Sequence, residues 1–135
     1  MKKILLAGAT GYLGSHIAKK LLQDDHNPRL IVRSPKKLEQ FSIEIDDLFH
    51  ADVTSPETLR GCCKGIDTVI STIGITRQKD GLTYMDVDYQ ANLNLLNEAR
   101  ENGVRKFVYV SVLNGEKLRH LKIFDAKERF FEKLM

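Results

Sequence analysis

The chain has 135 residues, 42% of them hydrophobic, and 21 Lys plus Arg against 18 Asp plus Glu leave a formal charge of only +3. A chain of this length buries about two-thirds of the surface it exposes when unfolded, enough for one core and too little for two full domains. So small a basic surplus argues against a nucleic-acid arm, and no stretch approaches the ~20 apolar residues of a membrane span, so neither nucleic acid nor membrane is an expected partner. The only cysteines, Cys62 and Cys63, are adjacent and build no disulfide framework, which points to a reducing compartment and a cytoplasmic location. Met1-Lys2-Lys3 and the apolar residues behind it start like a signal peptide, but Gly8, Thr10, Gly11 and Gly14 interrupt the run.

In chain order, the apolar run from Lys3 to Ala7 predicts a strand buried on both faces, stopped by Gly8. Leu13, Ile17, Ala18, Leu21 and Leu22 recur at helical spacing over Tyr12 to Gln23, and Asn27-Pro28 closes that helix. A second strand is expected over Arg29 to Arg33, ended by Ser34-Pro35, and a weaker extended segment from Ile43 to Ala51. Ser55-Pro56-Glu57 reads as a helix start and predicts a helix through Leu59 to about Cys63, ended by Gly65. The β-branched run Ile66 to Ile73 predicts a strand. Tyr89, Leu93, Leu96 and Ala99 set the phase of a helix over Asp86 to Asn102, capped by Gly103. Arg105 to Ser111 is the next strand, and Ile123 to Leu134 a final amphipathic helix. Strands alternating with helices imply a Rossmann-type α/β fold, a doubly wound parallel sheet with helices on both faces, in one domain spanning 1–135.

Gly8-Ala-Thr-Gly11-Tyr-Leu-Gly14 lies between the first strand and the first helix, where a dinucleotide pyrophosphate meets open helical N–H groups. Gly8 permits the turn, Gly11 the approach of phosphate to backbone, and Gly14 close helix–strand packing, with Thr10, Tyr12 and Leu13 completing the loop. No Gly-Lys-Ser or Gly-Lys-Thr follows, so a lysine-type phosphate loop is excluded. The end of the second strand should face the adenosine ribose, where a carboxylate would favour NAD. The sequence has Arg33 there, followed by Ser34, Lys36 and Lys37, donors suited to a 2′-phosphate, so the expected cofactor is NADP(H) in preference to NAD(H). A solvated basic loop is the alternative for the same residues.

The glycine spacing, together with Ala51-Asp52-Val53, Val69 to Gly74, Val87 to Gln90, Asn94-Leu-Leu and Gly103 to Ser111, resembles the short-chain dehydrogenase/reductase superfamily. Within it the chain is similar to the atypical NAD(P)-binding group, NmrA-like and related to the epimerase/dehydratases. The resemblance implies that Asp52 holds the adenine amino group, that Val53 lies against the ring, and that Ser71, Thr72 and Ile73 line the cofactor. From the residues alone, these are a strand-end turn and ordinary strand termini.

Two departures bear on activity. In the family a tyrosine stands four residues before a lysine; Lys127 fits the lysine, which places Ile123 at the tyrosine position, and isoleucine donates no proton. Ser111 is the first hydroxyl after the fifth strand, two residues short of the family's catalytic position at Leu113. Lys127 still suits the nicotinamide ribose or a reacting oxygen, or is one exposed charge on a charged helix. Tyr84 is the tyrosine best placed in sequence to replace the missing acid. The family continues into further strands and a substrate region, so the chain is expected to be the N-terminal part of a longer protein, associating with other copies of itself, the alternative being a minimal cofactor-binding domain. His16, His26, His50 and His120 have no metal-ligand spacing, so no metal is expected. The expected activity is that of an oxidoreductase or epimerase-like enzyme on an unidentified small molecule, the alternative being a non-catalytic NADP redox sensor.

Overall fold

The computed structural model describes residues 3–40, 42–73, 89–110 and 122–134, the last segment without the side chains of 122–125 and 128. Five short strands, β1 (Ile4–Ala7), β2 (Arg29–Val32), β3 (Leu48–His50), β4 (Thr68–Ser71) and β5 (Lys106–Tyr109), form one sheet in the order β3-β2-β1-β4-β5. Every pairing is parallel, with Leu6 opposite both Leu30 and Ile70. The helices are α1 (Tyr12–Gln23), the single turn α2 (Lys36–Glu39), α3 (Asn92–Glu101) and α4 (Lys122–Leu134). The fold is the Rossmann-like α/β arrangement expected of the alternating pattern.

Successive residues of a strand point to opposite faces, and β1 is buried on both. Leu5 and Ala7 join one core with Ile31, Val69, Leu59 and Leu95. Leu6 joins the other with Leu30, Val32, Ala18 and Leu38. On β5, Phe107 and Tyr109 pack against Phe130 of α4, at ring separations of 5.9 and 4.6 Å. The chain moves outward from β1 to β2 and β3, then crosses back to β4 on the other side of β1. The crossover splits the loops above β1 and β4 and opens a crevice at the carboxyl ends of the strands.

Several local expectations change. The helix predicted to reach Cys63 is a 3-10 turn over Pro56–Leu59, because Gly61 and Gly65 take φ of +84° and +76° and break any helical continuation. The extended segment expected from Ile43 shortens to Leu48–His50. Ser34 and Pro35 start a helical turn not foreseen, in which the Lys37 and Leu38 N–H groups donate to the Ser34 and Pro35 carbonyls at 3.2 and 3.0 Å. Leu38, buried in the second core, anchors it. Leu13, expected on the apolar side of α1, is exposed. Among the described residues, no helix is long and apolar enough to cross a membrane.

Candidate nucleotide site

The crevice is a cleft of about 300 Å³ walled by three strand ends: Gly8, Thr10 and Gly11 after β1, Val32 to Ser34 with Lys37 after β2, and Ala51 to Thr54 after β3, closed by Thr72 and Ile73 after β4. Gly8 has φ +95°, a left-handed turn that favours glycine. Its carbonyl accepts the Gly11 N–H at 3.0 Å and lies 3.3 Å from the Thr72 hydroxyl. A Cβ on Gly14 would be driven into that same carbonyl, so Gly14 is required by the chain's own packing of α1 onto β1 and β4.

Gly11 is different. A Cβ there would meet only the Gly8 carbonyl oxygen at 3.4 Å, an ordinary contact, and its φ of −87° suits any residue. Nothing inside the described chain asks for glycine at this position. It caps α1 with no side chain of its own to accept the first N–H groups of the helix. A loop that keeps its own atoms off a helix N-terminus at the switch point fits a pyrophosphate.

On the far wall, Asp52 is held by its neighbours: Oδ1 accepts the Thr54 hydroxyl at 2.6 Å and the Thr54 N–H at 2.9 Å. The Thr54 hydroxyl bond draws the Asp52 carboxyl below its ordinary range against the opposing effect of burial, with further help from the Thr54 N–H and the Arg33 guanidinium. Asp52 is therefore an oriented carboxylate at the mouth of the cleft, an acceptor for an amino group. Arg33 and Lys37 are exposed along the same cleft, and among the described residues neither forms an ion pair.

Most residues singled out from sequence come together here: Gly8, Thr10, Gly11, Arg33, Ser34, Lys37, Asp52, Val53, Thr72 and Ile73 all line the cleft. Lys36 is on the same turn but off the lining, and Tyr12, 81% exposed with its ring edge-on to His16 at 4.7 Å, stands outside it beside Leu13. Ser71 is not a wall residue, because its hydroxyl is fully buried and donates to Asn92 Oδ1. Lys127 is half-buried on α4, its ammonium 5.9 Å from the centroid of the Tyr109 ring, and Ile123 lies one helical turn before it. Ser111 and Tyr84 lie outside the described residues. Among the described residues, no three His, Cys, Asp or Glu groups gather as a metal site.

Two polar residues behind the cleft were not singled out as site residues. Asn92, fully buried, accepts from Ser71 and donates from Nδ2 to the Ile73 carbonyl at 3.2 Å. Asn94 donates to the Val53 carbonyl at 3.0 Å and accepts from Gln90 at 2.8 Å. The available signal was two asparagines within an otherwise apolar helix face, where a buried amide needs partners.

Strand order, the glycine turn at the switch point and the cleft define a Rossmann-type dinucleotide-binding domain. The family model described as NAD(P)H-binding matches residues 8–135. The chain belongs to this NAD(P)H-binding family, of the atypical short-chain dehydrogenase/reductase type. It is 30% identical to the photosystem II assembly factor Ycf39 of Synechocystis sp. over 93% of this chain and 38% of that one. It is 29% identical to phenylcoumaran benzylic ether reductase PT1 of Pinus taeda over 84% of this chain and 36% of that one. It thus spans well under half the length of these relatives. Among solved structures, the NADPH complex of the quinone oxidoreductase QOR2 from Escherichia coli superposes with a TM-score of 0.76 at 22% identity, covering 97% of this chain and 44% of that one. A Bacillus halodurans protein assigned to the NAD-dependent epimerase/dehydratases gives 0.81 at 19% identity, over 99% and 64% of the two chains. These likenesses establish the fold.

Proposed function

We propose that this chain is the NADP(H)-binding domain of an oxidoreductase or epimerase-like enzyme acting on a small molecule. The observation that carries the cofactor choice is Arg33: the residue after β2 is an exposed guanidinium, flanked on the cleft by Ser34 and Lys37, where an NAD site would present a carboxylate. A 2′-phosphate would meet the fork of Arg33, the Ser34 hydroxyl and the Lys37 ammonium, while Asp52 would accept from the adenine amino group. The bound nicotinamide would supply hydride transfer. Lys127, if it serves the reaction, would hold the nicotinamide ribose or a developing negative charge, with Ser111 and Tyr84 as candidate proton donors. The names of QOR2 and of the Pinus taeda reductase support a reductive role.

Parallel calorimetric titrations with NADPH and NADH at fixed low salt test this on the wild type and on Arg33→Ala. Charge-assisted hydrogen bonds to a phosphate contribute about 1.5–3 kcal/mol, so NADPH should bind roughly tenfold or more tighter than NADH, and the substitution should erase the preference. Equal affinity in the wild type would remove NADP selectivity, and binding of neither nucleotide would overturn the cofactor reading of this domain.

A non-catalytic NADP sensor is the second reading. It is favoured by Ile123 one turn before Lys127, where the family carries its proton-donating tyrosine, and it is compatible with the assembly-factor name of the Ycf39 relatives. Turnover of any carbonyl substrate by the complete protein would exclude it. Association between copies of the chain is also proposed, on the exposed Val108, Val110 and Phe131 near β5. A monomer by light scattering at working concentration overturns that part. The free, buried Cys62 and Cys63 support a cytoplasmic setting.

A further inference from the structure

We infer that Asn94 and Asn92 of α3 are positioning residues for the nucleotide: they lie behind the residues that line the cleft and set the separation of its two facing walls. The inference rests on the nucleotide-binding reading of the cleft and asks what holds that cleft to shape. Val53 and Ile73 face it from the ends of β3 and β4, two strands that are not neighbours in the sheet, with β2 and β1 between them. Sheet hydrogen bonds have ended at both residues, so the ladder no longer fixes their distance.

The tie runs through one helix. Asn94 Nδ2 donates to the Val53 carbonyl at 3.0 Å, and Asn92 Nδ2 donates to the Ile73 carbonyl at 3.2 Å. Asn92 also accepts from the Ser71 hydroxyl, which in turn lies 3.3 Å from the Ile73 N–H, so both backbone groups of Ile73 are tied to one side-chain pair. Asn94 is itself oriented by Gln90, whose Nε2 donates to Oδ1 at 2.8 Å. Both asparagines are buried, Asn92 completely and Asn94 to 7% exposure, although their neighbours Leu95 and Ala91 show that this face of α3 is otherwise apolar. A helix that needed only to pack would place aliphatic side chains there, since a buried amide is costly unless its bonds are made. These bonds end at the backbone of the cleft walls, which is where a support for ring stacking belongs.

The test uses two nucleotide fragments on the wild type, Asn94→Leu, Asn92→Ala and Gln90→Ala, with thermal melting as the check of folding. The fragments are 2′,5′-ADP, which carries the adenosine end, and reduced nicotinamide mononucleotide, which carries the other. In Asn94→Leu the Val53 wall loses its tie, and 2′,5′-ADP affinity should fall roughly tenfold while the mononucleotide is unchanged. Gln90→Ala, which removes the bond that orients Asn94 but leaves its tie to Val53, should weaken 2′,5′-ADP less than Asn94→Leu does and leave the mononucleotide unchanged. Asn92→Ala should weaken 2′,5′-ADP in the same sense; should it fail to fold, Asn94→Leu decides alone. Unchanged 2′,5′-ADP affinity in a folded Asn94→Leu overturns the inference, and so does an equal loss of both fragments, which would mark a merely structural residue. A wild type that binds neither fragment instead overturns the nucleotide-binding reading, so the two failures are distinct.

Discussion

The two ends of the parallel sheet use similar charged residues in opposite ways. At the amino ends of the strands the charges are spent on one another: Asp47 takes Lys3 Nζ at 3.0 Å and Arg29 Nε at 3.1 Å. The second arm of Arg29 donates to the Cys62 and Lys64 carbonyls at 2.8 and 2.9 Å, and Asp67 accepts from the Lys3 N–H at 2.9 Å. This network ties the starts of β1, β2 and β3 to the turn before β4. At the carboxyl ends Arg33 and Lys37 stand exposed along the cleft, and Asp52 is oriented by Thr54 without a salt bridge among the described residues. One end of the sheet satisfies its polar groups internally and the other presents them, as expected when ligand binding is confined to the switch point.

The sharpest way to break this comparison is within the glycine loop. Gly14→Ala places a methyl against the Gly8 carbonyl, where backbone cannot yield, and should cost about 3 kcal/mol, read as a large fall in melting temperature. Gly11→Ala should leave that temperature nearly unchanged, because the chain has room for the methyl, yet weaken NADPH by roughly tenfold or more through obstruction of the phosphate approach. An alanine tolerated in both stability and affinity at position 11 would remove the argument that this glycine serves a ligand.

At the opposite end the expected effects are smaller and reversed in kind. Asp47→Asn should destabilise by about 1 kcal/mol, since the ion pairs are partly exposed, and leave nucleotide affinity unaltered. The pH dependence follows the same group. Burial raises the Asp47 pKa, but hydrogen bonds from Lys3 and Arg29 and their charges outweigh it and hold the carboxyl below the ordinary carboxylate range. A depressed carboxylate pKa stabilises the fold above the unfolded value and loses that contribution as pH falls through the folded one. The wild type should therefore lose stability more steeply than Asp47→Asn on acidification below about pH 4, as followed by melts in a pH series. Parallel acid limbs in the two proteins would show that the network contributes nothing measurable.

Much of the architecture could be read in advance because it is carried by local pattern. Apolar and β-branched runs marked β1, β2, β4 and β5, whereas β3 showed only as a weaker extended segment, and the helical spacing of Ile17, Ala18, Leu21 and Leu22 marked α1 to its observed bounds. The helix expected to reach Cys63 failed because Gly61 and Gly65 take a left-handed φ, which composition permits but does not announce. Asn92 and Asn94 escaped for a related reason. Helical phase was read from Tyr89, Leu93, Leu96 and Ala99, whereas the buried face of α3 also holds Ala91, Leu95 and both asparagines. A polar residue reads as solvent-facing until its buried partners are known.

By itself the sequence determined the alternation of strand and helix, the glycine turn at the first crossover and the basic residue after the second strand, all properties of contiguous segments governed by backbone sterics and apolar periodicity. Tertiary structure alone decided which carbonyls Asn92 and Asn94 would hold and that Ser71 would turn inward to Asn92. Those outcomes depend on contacts between strand ends and helices far apart in the chain, whose distances no local pattern encodes.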